Sequence, residues 1–256
     1  MRYPTYLLMA LALTVTDARA TSYGAKAAPT KPATSAAASA PEPAATPAPA
    51  PAAMPGAQPV PVTAPVDLFN GKDLSGWSYI VGGQPGDIAT VCSVKDGVLV
   101  CAGTPSGYLV AADARENYQL HFEWRWTSTN PKTNSGGLLN ISDGPLQQNL
   151  WPVCFQAQTK NQSAGDFIAM STAACAEAPS GKTAIKKQPP SEKPIGEWNA
   201  ADVVVRGDTI EYTVNGVPQN KVTKCVPSSG KIGFQLEGYP YEMRNIKLSP
   251  LAAATP

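Results

Sequence analysis

The chain is expected to fold as an all-β sandwich or jelly roll, and three observations carry that expectation. Short segments alternate apolar and polar residues, tight-turn dipeptides separate them, and no window shows a helical period with caps. Many short strands of this kind without helices are the signature of two packed antiparallel sheets. With 43% apolar residues in 256, the chain has enough to bury one sizeable core.

The first residues stand apart. Arg2 precedes an apolar run from Tyr6 to Val15, and Ala18-Arg19-Ala20 follows as a small-x-small cleavage site. The run is about ten residues, half of the ~20 that span a bilayer, so residues 1–20 read as an export signal peptide. No Cys adjoins the cleavage point to carry a lipid anchor. Residues 21–65 are almost wholly Ala, Pro, Thr and Ser. A segment with nothing to bury cannot offset the entropy of ordering, which predicts a disordered, extended linker. The expected folded domain is 66–251, in a protein exported to a periplasmic or extracellular space. No second apolar run is long enough for a transmembrane span.

Within the domain, Leu68 to Trp77 reads LFNGKDLSGW, a tight loop whose apolar residues fasten the first strand, with Trp77 as a buried anchor. Val91 to Val100 reads VCSVKDGVLV, two strands about the hairpin dipeptide Asp96-Gly97. Counting outward, Lys95 faces Val98, Val94 faces Leu99, and Cys92 faces Cys101, which places a disulfide between the last two. From Tyr118 to Trp126 the alternation is clean: Tyr118, Leu120, Phe122, Trp124 and Trp126 on one face, with Gln119, His121, Glu123 and Arg125 on the other. Val203 and Val205 continue the pattern. Gly207-Asp208 turns the chain into Ile210, Tyr212 and Val214, and Asn215-Gly216 turns it again into Val217. Ile232, Phe234 and Leu236 form a last alternating strand.

Composition narrows the function. A net charge of +1 argues against a nucleic-acid partner. The single His excludes a multi-His metal centre, and the five Cys lack zinc-type spacing. No motif implies a cofactor. A structural Ca²⁺ held by Asp side chains suits the fold class, though no Asp-rich loop demands one. Cys154, Cys175 and Cys225 remain for one further bridge and one thiol, and none has an evident partner in His121 for nucleophilic chemistry.

Sorting polar residues by strand face isolates one constellation. In VCFQAQT, Val153, Phe155 and Ala157 share a face, so Gln156 and Gln158 project together from the opposite one. Gln235 and Glu237 do the same on their strand. Paired amides and a carboxylate can satisfy sugar hydroxyls, and the indole of Trp151 can cover a sugar's apolar face. The competing reading makes these residues the solvated outer face of a sandwich.

The ordered set LFNGKDLSGW, Asn134-Ser135-Gly136, the strand at 153–158, AGDF at 164–167, SEKPIGEWN at 191–199, FQLEG at 234–238 and Arg244-Asn245-Ile246 resembles the 3-keto-disaccharide hydrolase domain family. That resemblance implies a concanavalin A-like β-sandwich. It also implies cleavage of glycosides already oxidised to a ketone at C3: a base removes the acidified C2 proton, the C1 substituent is expelled, and water adds. On this scheme Glu237 or Asp166 is the catalytic base or acid, while Asn134, Gln158, Gln235 and Arg244 position the substrate or stabilise the enolate oxygen; the strand-face reading adds Trp151 and Gln156 as saccharide-binding residues. The family's strand carries Glu-x-Gln where this chain has Gln156-Ala157-Gln158. A glutamine keeps the shape of a glutamate but cannot take up a proton. Three readings therefore stand side by side: a glycoside-cleaving enzyme, a carbohydrate-binding sandwich that has lost a base, and a structural or envelope-interaction domain presented on the Ala/Pro tether.

Overall fold

The computed structural model describes residues 65–252. The expected signal peptide, and the expected linker up to residue 64, lie outside the described residues. In chain order the strands are β1 (Val66–Asp67), β2 (Trp77–Val81), β3 (Gln84–Gly86), β4 (Cys92–Lys95), β5 (Val98–Cys101), β6 (Gly107–Arg115), β7 (Tyr118–Trp126) and β8 (Gly136–Gln147). They continue as β9 (Trp151–Gln158), β10 (Phe167–Met170), β11 (Thr183–Ala184), β12 (Asn199–Arg206), β13 (Thr209–Val214), β14 (Val217–Val222), β15 (Gly230–Leu236) and β16 (Tyr241–Pro250). The one helical element among the described residues is a short 3₁₀ turn, Ile88–Thr90.

The strands form two antiparallel sheets. The first runs β14-β13-β12-β7-β16-β5-β4, with β1 added on β16, and the second runs β11-β10-β9-β8-β15-β6-β2-β3. Turn chemistry sets the hairpin registers. Asp96 and Gly97 have φ of 51° and 78°, and Asn215 and Gly216 have 49° and 79°. A two-residue hairpin of the favoured twist needs positive φ at both positions, which Asp, Asn and Gly tolerate. The register places Cys92 opposite Cys101, and the two are joined as a disulfide.

Alternation decides which side chains enter the core between the sheets. On β7 the five residues predicted inward are buried, and the four between them are half-buried. From the second sheet come Trp77, Leu109, Leu139, Phe155, Phe167 and Phe234, all fully or nearly fully buried. Phe234 of β15 meets Phe122 of β7 edge-on at 5.1 Å and Trp77 at 5.6 Å, so one ring links three strands and both sheets. Each large side chain buried this way contributes about 1.5–3 kcal/mol relative to exposure.

The second sheet is also covered on its outer side. Tyr108, Val110, Leu138, Trp151, Cys154 and Met170 form a separate apolar cluster there, and all eight residues of β9 are buried. A sheet buried on both faces cannot show clean hydrophobic alternation. That is why β9 reads as an apolar run interrupted by two glutamines.

Candidate functional site

Two glutamines enter from β9 and one from β15, through the pairing of both strands with β8. Leu138 of β8 stands opposite Gln156, and Gly136 stands opposite Gln158. A side chain at Gly136 would put its Cβ 2.7 Å from Cγ and Nε2 of Gln156. Glycine in the Asn134-Ser135-Gly136 loop therefore makes room for the Gln156 amide. The Gln235 carbonyl accepts from the Ser135 hydroxyl at 2.6 Å and the Tyr241 hydroxyl at 3.0 Å, which fixes the end of β15.

The amides form a directed chain. Gln156 Nε2 donates to Gln235 Oε1 at 2.6 Å and to Gln158 Oε1 at 3.2 Å, and the Lys160 amide also donates to Gln158 Oε1 at 3.3 Å. With its oxygen so engaged, Gln235 offers its own amide to the Glu237 carboxylate. Asn134 Nδ2 donates to Glu237 Oε2 at 2.6 Å. The Asn134 oxygen is buried without a hydrogen-bond partner. Gln156 and Gln235 are each 2% exposed and Gln158 is 6% exposed, so these amides are not a solvated outer face.

Glu237 is half-buried at the end of this chain. Burial pushes its carboxyl above the usual range, and the Lys160 charge and the two amide donors pull it part of the way back. None of the groups acting on it is a carboxylate. A half-buried carboxylate held by amides, its pKa raised by burial, is suited to accept a proton.

The structure brings Asn134, Gln156, Gln158, Gln235 and Glu237 together and sets the other three candidates apart. Asp166 follows the turn after β9, where its carboxylate accepts from the Lys186 amide at 2.9 Å and its electrostatic neighbours are Glu192 and Tyr212. Trp151 is 4% exposed in the outer apolar cluster, its indole closed in rather than offered as a platform. Arg244 lies on the outer side of the first sheet, where its Nε donates to Glu123 at 2.7 Å and its guanidinium lies 4.1 Å from the Trp198 ring centre. Arg244 is thus committed to an ion pair with Glu123 of β7 on the sheet opposite the amides. Glu242 is held by Arg125 instead, at 2.5 Å.

Two residues join the constellation that strand-by-strand reading passes over. Lys160 follows the glutamine pair and supplies the positive charge that acts on Glu237. Tyr108 of β6 stands opposite Gln235 in the sheet. It also lines a cleft of about 770 Å³ with Ile80, Val110, Ile141, Leu146 and Pro152. The cleft, which Ser142, Asp143, Ser229 and Lys231 also line, opens on the same outer side of the second sheet, so the amide site and the cleft meet at one aromatic ring. Among the described residues no group of three or more His, Cys, Asp or Glu side chains is arranged to hold a metal ion.

The fold recurs in solved structures. A Parabacteroides distasonis ATCC 8503 protein assigned as a glycosyl hydrolase superposes with a TM-score of 0.56 at 23% identity, over 73% of this chain and 94% of its own. A Bacillus licheniformis β-glucanase gives 0.50 at 14% identity, over 73% and 97%. The carbohydrate-binding module CBM66 of Bacillus subtilis gives 0.50 at 8%, over 68% and 94%. At these identities the likeness establishes the jelly-roll fold alone. No curated protein matches the sequence. The family model for the 3-keto-alpha-glucoside-1,2-lyase-like domain matches residues 64–249, most of the chain and every strand from β1 to β15, and the chain belongs to that family.

Proposed function

We propose that this is an exported protein that cleaves a 3-keto-glycoside by elimination followed by hydration, with Glu237 as the base. The observation that carries the reading is the Glu237 carboxylate, raised by burial and held by side-chain amides on the glutamine-lined face. Hydrolysis of an ordinary acetal uses two carboxyl groups across the scissile bond. Elimination beside a ketone needs one base, because the ketone itself acidifies the C2 proton. Glu237 takes that proton, and the electron pair moves onto the C3 oxygen as an enolate. Its return forms the C1–C2 double bond and expels the C1 substituent, which takes a proton from solvent. Water then adds, oxygen at C1 and hydrogen at C2. Amide donors of Asn134 and Gln235 and the charge of Lys160 favour the enolate oxygen, while Gln156 and Gln158 hold hydroxyls. The cleft beyond Tyr108 accommodates the departing substituent. The Cys92–Cys101 disulfide fits an oxidising, exported setting.

The test is release of a chromogenic phenol from its 3-keto-glucoside. Glu237→Gln keeps the shape and an acceptor for Asn134 but removes the base, and kcat/KM should fall about 10²–10⁴-fold. Because the base must be ionised, the wild-type rate should drop on acidification at a pH above the ordinary carboxylate range, as the raised pKa dictates. Undiminished turnover by Glu237→Gln overturns the assignment. A second reading, a non-catalytic saccharide-binding sandwich, is favoured by Gln156, which cannot accept a proton. Calorimetric binding of the same glycoside without cleavage by the wild type would select it.

A further inference from the structure

Two of the three cysteines outside the hairpin bridge face each other across the edge of the sandwich. Ala174 and Val226 form an isolated antiparallel bridge and exchange both backbone hydrogen bonds, at 3.0 and 2.9 Å. In antiparallel pairing, a mutually bonded pair is followed by a non-bonded one whose side chains stand closer. That next pair is Cys175 and Cys225. Neither amide is spent across it: Cys225 N donates to the Asp208 carbonyl at 2.8 Å, and Cys175 N to that of Ala178 at 3.0 Å. Both are buried free thiols, at 8% and 1% exposure, and the Cys175 thiol donates to the Ala178 carbonyl at 3.5 Å.

The Cys92–Cys101 bridge occupies the same kind of position. It lies beside the pair in which Ala102 N donates to the Val91 carbonyl, and its Cα atoms are 4.3 Å apart. Cys154 is placed differently: it is 0% exposed in the outer cluster of the second sheet, against Met170 Sδ at 3.7 Å.

We infer that Cys175 and Cys225 form a second disulfide, leaving Cys154 as the one free thiol. Such a bond staples the segment leaving β10 of the second sheet to the segment leaving β14 of the first, at the edge where backbone hydrogen bonds of Ala174 with Val226 and of Ala176 N with the Thr223 carbonyl already join them. The stapled segment also carries Ser171, whose amide donates to Gln147 Oε1 at 2.7 Å and whose hydroxyl donates to the Pro145 carbonyl. The bond thereby steadies the stretch of β8 that places Leu146 in the cleft wall.

The chemistry is thiol–disulfide exchange with an external disulfide, either oxidised glutathione or a protein dithiol oxidase. One thiolate attacks the oxidant's disulfide and makes a mixed disulfide, and the second thiolate displaces the oxidant's remaining sulfur. Two electrons and two protons leave the cysteine pair, and the oxidant departs as two thiols. Burial holds both thiols above their usual pKa, which makes thiolate scarce once the domain has closed. Closure of the bond accordingly belongs to folding in an oxidising compartment.

The experiment is peptide mapping of the protein recovered from such a compartment, denatured without reductant and alkylated with iodoacetamide. Trypsin separates the three cysteines into peptides 133–160, 161–182 and 225–231. The expected result is alkylation of Cys154 alone and a linked 161–182/225–231 peptide that falls apart on reduction. Alkylation of all three cysteines, or any linkage through Cys154, overturns the inference. In a Cys175→Ser variant, Cys225 should become alkylatable and the melting temperature should drop by roughly 10 °C. If that variant does not fold, the wild-type map alone decides.

Discussion

Gln156 spends one amide nitrogen on two acceptors, Gln235 Oε1 and Gln158 Oε1, inside a site with almost no water contact. That geometry uses what distinguishes glutamine from glutamate, a donor. A carboxylate in its place would set a charged acceptor against two amide oxygens, and both neighbours would have to turn over to meet it. Turning Gln235 over would in turn aim its oxygen at Glu237, acceptor against acceptor. Gln156→Glu should therefore destabilise the domain at neutral pH by about 1–3 kcal/mol, the cost of leaving buried polar groups unpaired. The sign with pH is fixed. Burial and facing oxygens raise the pKa of the introduced acid above its unfolded value, so the loss is present above the folded pKa and disappears as acid protonates it. Urea midpoints of variant and wild type should converge on acidification. A variant as stable as wild type at neutral pH would mean that the amides turn over freely. If the same substitution confers cleavage absent from the wild type, the natural protein is the binder.

Strands fix positions that single residues do not reveal, and here the limits of the sequence become physical. The alternation of β7, the register that pairs Cys92 with Cys101, and the shared face of Gln156 and Gln158 were all readable, because each depends on a period of two or a two-residue turn. Arg244 was not. On β16, Tyr241 and Met243 point inward, but so do Ile246 and Leu248, because the register shifts after Arg244 and Asn245 has φ of 53°. Arg244 faces outward by plain alternation from Met243, and the bulge adds Asn245 to the same side; what no local pattern encodes is their common partner Glu123 on β7, a strand more than a hundred residues earlier. Tyr108 escaped notice because its place beside Gln235 comes from β6–β15 pairing, which no local pattern encodes. The outward side of β7 also carries His121, whose Nδ1 lies 2.8 Å from Asp202 Oδ1 on β12. The Asp202 hydrogen bond raises the His121 pKa against the opposing effect of burial, with Glu123 adding to it and Lys247 subtracting. A histidine pKa raised on folding contributes stability that is full below the unfolded value near 6.5 and lost as pH climbs through the folded one. The melting-temperature gap between wild type and Asp202→Asn should thus be larger at pH ~6 than at pH ~9. A gap independent of pH would show that the pair contributes by packing alone.

At the scale of the molecule the two outer surfaces divide the labour. The first sheet presents ion pairs, Arg244 with Glu123 and Arg125 with Glu242, both guanidinium groups lying against Trp198. The second presents buried amides, the Glu237 carboxylate and a cleft of mixed polar and apolar lining, the side from which the proposed function has a saccharide approach. Between them the core is shared, and its centre lies directly beneath the site: Phe234 precedes Gln235 on β15 and points the opposite way, into Phe122 and Trp77. Truncating that ring removes contacts to both sheets at once. Neighbours held in three strands cannot collapse fully into the space. Phe234→Ala should cost about 3–5 kcal/mol, read as a lower urea midpoint. Unfolding should remain one transition whether followed by tryptophan fluorescence or by far-ultraviolet circular dichroism, since the main core is shared by both sheets and the outer cluster of the second sheet is a small one beside it. The same variant should weaken saccharide binding, because the Gln235 carbonyl anchored by Ser135 and Tyr241 loses the ring that holds its strand down. Two separate transitions, or a loss under 1 kcal/mol, would show that the sheets are stabilised independently and that the site does not depend on the core beneath it.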